Sequence, residues 1–357
     1  MGSHQGSILV VGGAGYLGSV LVDELLARGY SVIVFDRLFF GDVGLGRVRD
    51  RIKLQTGDIR CLDTRLLDEV AAIINLSGLS NDPTAEYNPE ANRQMNTIAT
   101  AHLAQMAKEH GIRRYLFASS ASIYDFGVLD AERDVLLDEE ATVDPHAAYS
   151  RSKYDGERAL LQLADSNFCP VILRMGTLFG FSPRMRYDLV VNTFVKDAMT
   201  KGAITLHHGG QMWRPMAEVR DAARAYVALL EASDELVRGE IYNLVFDNMR
   251  ISELALRVRD TLVEKGIKTE LRTDFKYASV RNYRVSGRKL TTRLGFRCVV
   301  TVEDSVRHMV ENIRQFGYTN FDHDRYYNIR WMKLLEEIRD IVNITGSIFE
   351  LPGRKES

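Results

Sequence analysis

A tyrosine and a lysine four residues apart are the side chains of this sequence best suited to proton transfer. Tyr149 and Lys153 lie in a Tyr-Ser-Arg-Ser-Lys run, where helical spacing places both on one helix face. A phenol titrates at about 10 in water, and a neighbouring ammonium is expected to lower that pKa by stabilising the phenolate. Ser120 adds a hydroxyl at the end of a predicted strand. Such a set could take a proton from an alcohol while a hydride leaves to a nicotinamide.

A tyrosine and a lysine at this spacing are also common as a surface pair, so the interpretation depends on a second motif. An apolar run near the amino terminus leads into glycines at 12, 13, 15 and 18, followed by a helical pattern. Glycines permit a tight turn and let backbone N–H groups approach a pyrophosphate, and the helix amino terminus adds partial positive charge. We therefore expect a dinucleotide to contact the following residues: Gly12, Gly15, Tyr16, Leu17 and Gly18.

Acidic residues at the ends of the next two predicted strands extend this dinucleotide site. Asp36 can accept hydrogen bonds from the hydroxyls of an adenosine ribose and would repel a 2′-phosphate, which favours NAD over NADP. Arg37 weakens that preference, because a guanidinium could pair with such a phosphate. Asp58, followed by Ile59, could contact the adenine amino group or cap a helix, and the two roles are compatible.

Alternating strand and helix patterns position these motifs. Strands are predicted at 7–11, 31–35, 52–55, 71–76, 114–118 and 170–174, apolar on both faces, with helices at 17–28, 91–110 and 148–164 between them. This rhythm predicts an α/β fold with a doubly wound parallel Rossmann sheet. Beyond residue 175 it breaks into a smaller α+β substrate lobe over 176–317, which includes a strand at 240–244. Residues 318–357 form a C-terminal helical extension, with a helix at 328–344 and a frayed tail.

Composition excludes several classes of protein. The 357 residues are 45% hydrophobic and 26% charged, which is ordinary for a globular protein and excludes a disordered one. The net charge of -2 argues against nucleic-acid binding. No apolar stretch reaches the length of a membrane span, and no membrane association is expected. Three separated cysteines fit a reducing, cytoplasmic location without a metal site.

In combination, these motifs make the chain similar to a known family. It resembles the extended short-chain dehydrogenases/reductases, specifically the NAD-dependent nucleotide-sugar epimerases and dehydratases, over nearly its whole length to about residue 315. The resemblance implies that Tyr149 is the base, that Ser120 assists it, and that Lys153 binds the nicotinamide ribose and tunes the base. Asn96 matches a structural and relay asparagine. The strand end that passes along the cofactor matches Leu76, Ser77 and Gly78.

The resemblance also implies a nucleotide-diphosphate sugar as substrate. Met175 falls where the family contacts the nicotinamide, and the expected substrate contacts are Ser120, Ser122, Thr177, Arg184, Asn192, Arg214 and Arg281. Two guanidiniums on one diphosphate make chemical sense, because charge-assisted hydrogen bonds fix the anionic part of the substrate. The stretch from Ser182 to Asn192 looks like a subgroup acting at carbon 4 of GDP-linked heptoses and related long-chain sugars, which we weigh against UDP-, dTDP- or CDP-hexoses.

Several reactions remain open at this point. Dehydratases of the family carry an Asp-Glu pair after the catalytic Ser or Thr, where this sequence has Ala121 and Ser122, so a 4,6-dehydratase is disfavoured. The expected reaction is NAD-dependent epimerisation at carbon 4, with a 4-dehydrogenase or 4-keto reductase as the alternative. A non-catalytic NAD- or sugar-binding regulator is the hypothesis from another class. The family also implies a homodimer formed through the helices predicted at 91–110 and 148–164.

Overall fold

Parallel strands and the helices that connect them make up most of the chain. The computed structural model of the protein describes residues 6–125, 135–274 and 281–345. The strands of these ranges are β1 (Ser7–Val11), β2 (Val32–Asp36), β3 (Lys53–Thr56), β4 (Val70–Asn75), β5 (Arg114–Ser120), β6 (Leu136–Leu137), β7 (Cys169–Met175), β8 (Thr177–Phe179), β9 (Ala203–His207), β10 (Trp213–Glu218), β11 (Glu240–Leu244), β12 (Asp247–Arg250), β13 (Glu270–Asp274) and β14 (Arg284–Val285). The α-helices are α1 (Tyr16–Ala27), α2 (Asp82–Tyr87), α3 (Pro89–Arg93), α4 (Ala99–Glu109), α5 (Ala148–Leu163), α6 (Val190–Lys201), α7 (Val219–Glu231), α8 (Asp234–Val237), α9 (Ile251–Glu264), α10 (Arg288–Leu294), α11 (Val302–Gln315) and α12 (Asn328–Thr345).

The largest sheet has seven strands in the order β11-β7-β5-β4-β1-β2-β3, and every pair is parallel. The chain leaves β1 toward β2 on one side and later returns to β4 on the other. A crevice therefore opens at the carboxyl ends of β1 and β4, where ligands of doubly wound sheets bind. The predicted Rossmann sheet is confirmed. One expectation fails at β3, an edge strand that is mostly exposed rather than apolar on both faces.

The seventh strand comes from the part of the sequence expected to form the smaller lobe. β11 pairs in parallel with β7, and α7 packs on α1 beneath the same sheet. Tyr242 and Leu244 of β11 are fully buried there, and this burial favours the position of the strand in the large sheet. The smaller lobe holds the sheets β12-β10-β8 and β13-β9, with β14-β6 alongside, and it has its own apolar core.

The helix predicted at 91–110 is divided into several elements. Asn88 caps α3 by accepting a hydrogen bond from the Ala91 N–H, and a π-helical turn at Gln94–Ile98 separates α3 from α4. That wider turn contains Asn96, whose amide bonds both backbone groups of Leu79 at 2.8 and 3.0 Å. The irregular turn thus fixes the chain just beyond the carboxyl end of β4.

The C-terminal helix matches its prediction within one residue at its end. The tail predicted beyond it lies outside the described residues. Within the described ranges, none of the helices combines the length and the apolarity needed to cross a bilayer.

The packing of α1 on the glycine loop generates a stability prediction. A Cβ at Gly18 would lie 2.6 Å from the Gly13 Cα, so neither backbone can accommodate it without moving. We expect Gly18→Ala to lower the free energy of unfolding by about 1–3 kcal/mol in urea denaturation, as overpacking does. The matched control is Gly46→Ala, whose Cβ meets only the Val43 carbonyl at 3.5 Å. Equal stability of the two variants would contradict this account.

Candidate active site

A single cavity of about 360 Å³ follows the carboxyl edge of the large sheet. It runs from Asp36 and Asp58 at one end to Tyr149 and Arg281 at the other. The sequence-predicted residues that line it are Gly12, Gly15, Tyr16, Leu17, Gly18, Asp36, Arg37, Asp58, Ile59, Leu76, Ser77, Gly78, Ser120, Ser122, Tyr149, Lys153, Met175, Thr177, Arg184 and Arg281. Asn96, Asn192 and Arg214 do not line it.

The glycine loop has the shape that a diphosphate requires. Gly12 adopts φ +82° and a Cβ there would lie 2.9 Å from the Ser77 backbone nitrogen, so this position requires glycine. Gly15 has an ordinary φ of -76°, and its Cβ would meet only the Gly12 carbonyl at 3.2 Å. Protein packing makes little demand for a glycine at position 15, but a ligand approaching from the cavity would. No side chain caps α1, so its first N–H groups are available to an anion.

Asp36 is held by the backbone at the opening of the loop. Its Oδ2 accepts the Ala14 N–H at 3.0 Å and its Oδ1 accepts the Leu38 N–H at 2.8 Å. Burial raises the pKa of this carboxyl, and the two backbone hydrogen bonds oppose that rise. Each carboxylate oxygen can accept a further hydrogen bond, so both remain suited to ribose hydroxyls.

Arg37 and Asp58 form an ion pair, with Nη1 and Oδ2 2.7 Å apart. The guanidinium expected to compete for a 2′-phosphate is therefore already engaged by a carboxylate, which favours NAD. Asp58 also accepts the Arg60 N–H at 2.9 Å, capping the turn Ile59–Cys61, while its side chain lines the cavity. The hydrogen bond from the Arg60 side chain lowers the pKa of Asp58.

At the far end of the cavity, Tyr149 and Ser120 meet. Ser120 is the last residue of β5 and Tyr149 lies in the first turn of α5. The Ser120 side chain acts to lower the pKa of the phenol, and its Oγ accepts the Ser122 N–H at 3.2 Å. The parallel sheet makes this meeting possible, because β5 ends at the same edge where α5 begins.

The expected lowering of the phenol pKa is wrong. Burial raises the pKa of Tyr149 to about 12, and the charge of Asp82 acts in the same direction. The hydrogen bond with Ser120 and the guanidiniums of Arg186 and Arg281 oppose the rise. Lys153 is not the main influence, because its own ammonium is costly to bury.

Lys153 lies behind the phenol, against the sheet. Burial lowers its pKa to about 8, with the carboxylate of Glu157 opposing the change. Its Nζ lies 4.9 Å from the centroid of the Phe117 ring, a cation–π distance. A lysine with this pKa is mostly protonated at neutral pH and loses its proton as the pH rises through about 8.

Two residues that the sequence analysis missed, Asp82 and Arg186, influence the phenol. Asp82 forms an ion pair with Arg281, whose Nε also lies 3.0 Å from Asp125 Oδ2. Arg186 pairs with Asp188 at 2.8 Å. Both missed residues line the cavity. In the sequence, Asp82 follows a helix-capping Asn and precedes Pro83, which indicates only a turn.

The three predicted residues that do not line the cavity support it from behind. The Asn192 amide donates to the carbonyl of Arg186 at 2.8 Å, and its oxygen accepts the Gly180 N–H at 3.0 Å. Arg214 donates to the carbonyls of Trp213 and Arg281. Asn96 holds the chain beyond β4, as described above. Asn192 and Arg214 thus have internal hydrogen-bond partners, and their expected contacts with a substrate phosphate stay predictions.

A buried ion pair fixes α5 against the sheet. Arg174 of β7 and Glu157 of α5 lie 2.6 Å apart, with side chains 4% and 1% exposed. Ser119 donates to the same carboxylate. The pair therefore sets the height of Tyr149 and Lys153 relative to Ser120, the neighbour of Ser119.

The C-terminal helix α12 also reaches the cavity, although no motif in its sequence predicts this contact. Asn328 and Met332 of α12 line the cavity wall. Among the residues that the structure describes, no three His, Cys, Asp or Glu side chains gather as metal ligands would.

Comparisons with known proteins give one family and several relatives. The model of the family described as "NAD dependent epimerase/dehydratase family" matches residues 8–244. The putative UDP-glucose 4-epimerase of Methanocaldococcus jannaschii is 28% identical over 238 residues, covering 64% of this chain and 75% of that protein. UDP-glucuronic acid decarboxylase 1 of Danio rerio is 27% identical over 230 residues, covering 63% of this chain and 54% of the decarboxylase. This chain thus matches about half the length of that decarboxylase.

Among solved structures, the UDP-glucose 4-epimerase of Thermotoga maritima with UDP-glucose is similar in fold. The TM-score is 0.75 at 21% sequence identity, and the match covers 87% of this chain and 99% of that one. At this identity the likeness shows the fold. Part of the present chain extends beyond what the two proteins share.

The Arg174–Glu157 pair generates a prediction about stability. Arg174→Met leaves a buried carboxylate without its cation, and we expect a loss of about 3–5 kcal/mol in the free energy of unfolding. The double variant Arg174→Met/Glu157→Met removes both charges and is expected to lose less than Arg174→Met alone. Urea denaturation of Arg174→Met, Glu157→Met and the double variant measures the three losses, and a double variant that loses as much as the two single losses summed would contradict the coupling.

Proposed function

The chain belongs to the NAD-dependent epimerase/dehydratase family, and we propose that it epimerises carbon 4 of a nucleotide-diphosphate sugar through a transient 4-keto intermediate. The observation that carries the proposal is that Tyr149, Ser120 and Lys153 line one end of the cavity whose other end fits a dinucleotide. NAD, when bound, supplies a hydride acceptor that returns the hydride to the opposite face of the ketone.

Tyr149 takes the proton from the hydroxyl on carbon 4 and later returns it. Ser120 donates to the same oxygen and steadies the charge that develops there. Lys153 binds the nicotinamide ribose from behind the phenol. A phenol whose pKa is raised by burial and by Asp82 returns a proton readily, while Arg186 and Arg281 make its removal feasible. Both directions of transfer are needed in an epimerisation.

Charges of both signs lie at the reacting end of the cavity. Arg281 pairs with Asp82 and Asp125, and Arg186 pairs with Asp188. Ala121 and Ser122 take the place of the acidic pair expected of a dehydratase. The 4-dehydrogenase or 4-keto reductase is retained as the alternative, since it needs the same side chains.

The nucleotide is proposed to be UDP, with GDP as the comparison. The relatives reported above carry UDP-sugar names. The GDP-linked heptose or octose indicated by residues 182–192 stays a prediction, since Asn192 is engaged inside the protein. A homodimer and a cytoplasmic location also stay predictions. The helices expected at the dimer interface, α4 and α5, pack side by side.

Removal of the phenolic oxygen tests the proposed function. Tyr149→Phe is expected to reduce epimerisation by about 10²- to 10⁴-fold, because general acid–base catalysis contributes that much. UDP-glucose and a GDP-linked sugar are incubated in parallel with the enzyme and its bound NAD, and the 4-epimer is separated by anion-exchange chromatography. Tyr154→Phe, on the same helix but away from the cavity, serves as the control. If Tyr149→Phe retains the control's activity, the proposed role of Tyr149 is refuted. Net accumulation of reduced cofactor would favour the dehydrogenase.

The charges around the phenol predict opposite pH shifts in two variants. Asp82 raises the pKa of Tyr149, so Asp82→Asn is expected to lower it and to move the rise of kcat/KM with pH toward lower pH. The Ser120 hydrogen bond lowers the same pKa, so Ser120→Ala should move the rise toward higher pH. Profiles of kcat/KM against pH for the wild type and both variants provide the measurement. Shifts of the same sign in both variants would contradict this assignment.

A further inference from the structure

Arg184 is a buried cation beside the cavity with no carboxylate at ion-pair distance among the described residues. It is 6% exposed, and its Nε is buried without a hydrogen-bond partner. Its guanidinium carbon lies 3.7 Å from the centroid of the Phe40 ring. Burial and the neighbouring charge of Arg186 lower the pKa of Arg184. A buried charge in this situation is costly unless a ligand compensates it.

The chain around Arg184 is tied to the first turn of α1. The Ser182 hydroxyl donates to the Tyr16 carbonyl at 2.7 Å and lies 2.9 Å from the Ser19 hydroxyl. The same Ser182 oxygen accepts the Arg184 N–H at 3.2 Å. Arg184 therefore stands beside the uncapped helix terminus and the glycine loop.

Asn328 of the C-terminal helix holds this guanidinium. Its Oδ1 accepts from Arg184 Nη2 at 2.7 Å, and its own amide nitrogen donates to the Ser80 hydroxyl at 2.8 Å. Its backbone N–H donates to Asp188 at 3.0 Å. All of these partners lie on the segments that border the cavity.

Residues further along α12 also contact segments that border the cavity. Trp331 donates to the carbonyl of Phe39 at 2.5 Å, and Glu336 accepts from the Tyr87 hydroxyl at 2.6 Å. The helix is thereby fastened to the loop after β2 and to α2. It begins well beyond residue 244, where the match to the family model ends.

We propose that α12 is part of the dinucleotide site, with Arg184 binding the diphosphate of the cofactor and Asn328 positioning Arg184 for that contact. The helix amino terminus and the guanidinium then face one anion, since both lie at the first turn of α1. A guanidinium gives a phosphate charge-assisted hydrogen bonds, and the unpartnered Nε is one of the donors. This reassigns Arg184 from the substrate, where the sequence placed it, to the cofactor.

The proposal requires NAD binding but not a particular reaction, so it can fail while the epimerase proposal stands, or the reverse. Titration calorimetry of the full-length protein, freed of nucleotide, measures the affinities for NAD, ADP-ribose, adenosine and UDP. Arg184→Gln is expected to lower the affinity for NAD and for ADP-ribose by about 10- to 100-fold. Adenosine, which has no phosphate, and UDP, whose diphosphate is expected to bind at the substrate end of the cavity, should bind as they do to the wild type.

Asn328→Ala is expected to lower the affinity for NAD and ADP-ribose by a smaller factor, about fivefold. The Arg184 guanidinium keeps its charge in this variant but loses the hydrogen bond that orients it. The ratio of ADP-ribose affinity to adenosine affinity is the decisive quantity, since general loosening of the structure would weaken both. Arg339→Ala, an exposed position on the same helix paired with Asp340, is the matched control.

Several results would overturn the proposal. If Arg184→Gln binds ADP-ribose as tightly as the wild type does, Arg184 does not bind the cofactor's diphosphate. If the variant loses only UDP binding, Arg184 binds the substrate instead. An unchanged affinity ratio in Asn328→Ala would refute the positioning role. Should Arg184→Gln melt below the assay temperature, Arg184→Lys provides the same comparison. It keeps the charge without the planar donors and should bind ADP-ribose more weakly than the wild type.

Discussion

The proton on the Tyr149 phenol is held by a balance between burial and charge, and the site is organised around that balance. Burial and Asp82 favour the neutral phenol, while Ser120, Arg186 and Arg281 favour the phenolate. Each of these side chains comes from a different segment of the chain. A phenol whose pKa is raised this far needs further positive charge nearby to ionise, and an oxidised nicotinamide beside it would supply that charge. If Tyr149 is the base, as proposed above, binding of the cofactor would therefore activate it.

A parallel sheet brings such distant segments together at one edge. The glycine loop, Asp36, the Leu76–Gly78 stretch and Ser120 each follow the carboxyl end of a different strand. Their relative heights are fixed by contacts that use no ligand-facing atom: the Arg174–Glu157 pair under α5, and the Asn96 amide beyond β4. The cavity is thus bordered by loops, but rigid elements determine its geometry.

The sequence predicted what depends on local patterns. The central strands and the glycine loop were found because periodicity and glycine spacing are readable within a few residues. Tyr149, Lys153 and Ser120 were found because strand ends and helix starts share an edge. Asp82, Arg186 and Asn328 were missed because their importance arises from partners far away in the chain. The direction of the Tyr149 pKa shift was wrong because burial is not visible in residue spacing.

The late return of β11 to the large sheet affects how the protein forms during synthesis. Until Glu240–Leu244 leaves the ribosome, β7 remains an edge strand whose backbone groups lack their neighbour, while the segment between them is already emerging. The nascent chain therefore completes its large sheet only after the first part of the smaller lobe has been translated. Neither lobe is a separable module that could be excised or grafted by cutting the chain after β7.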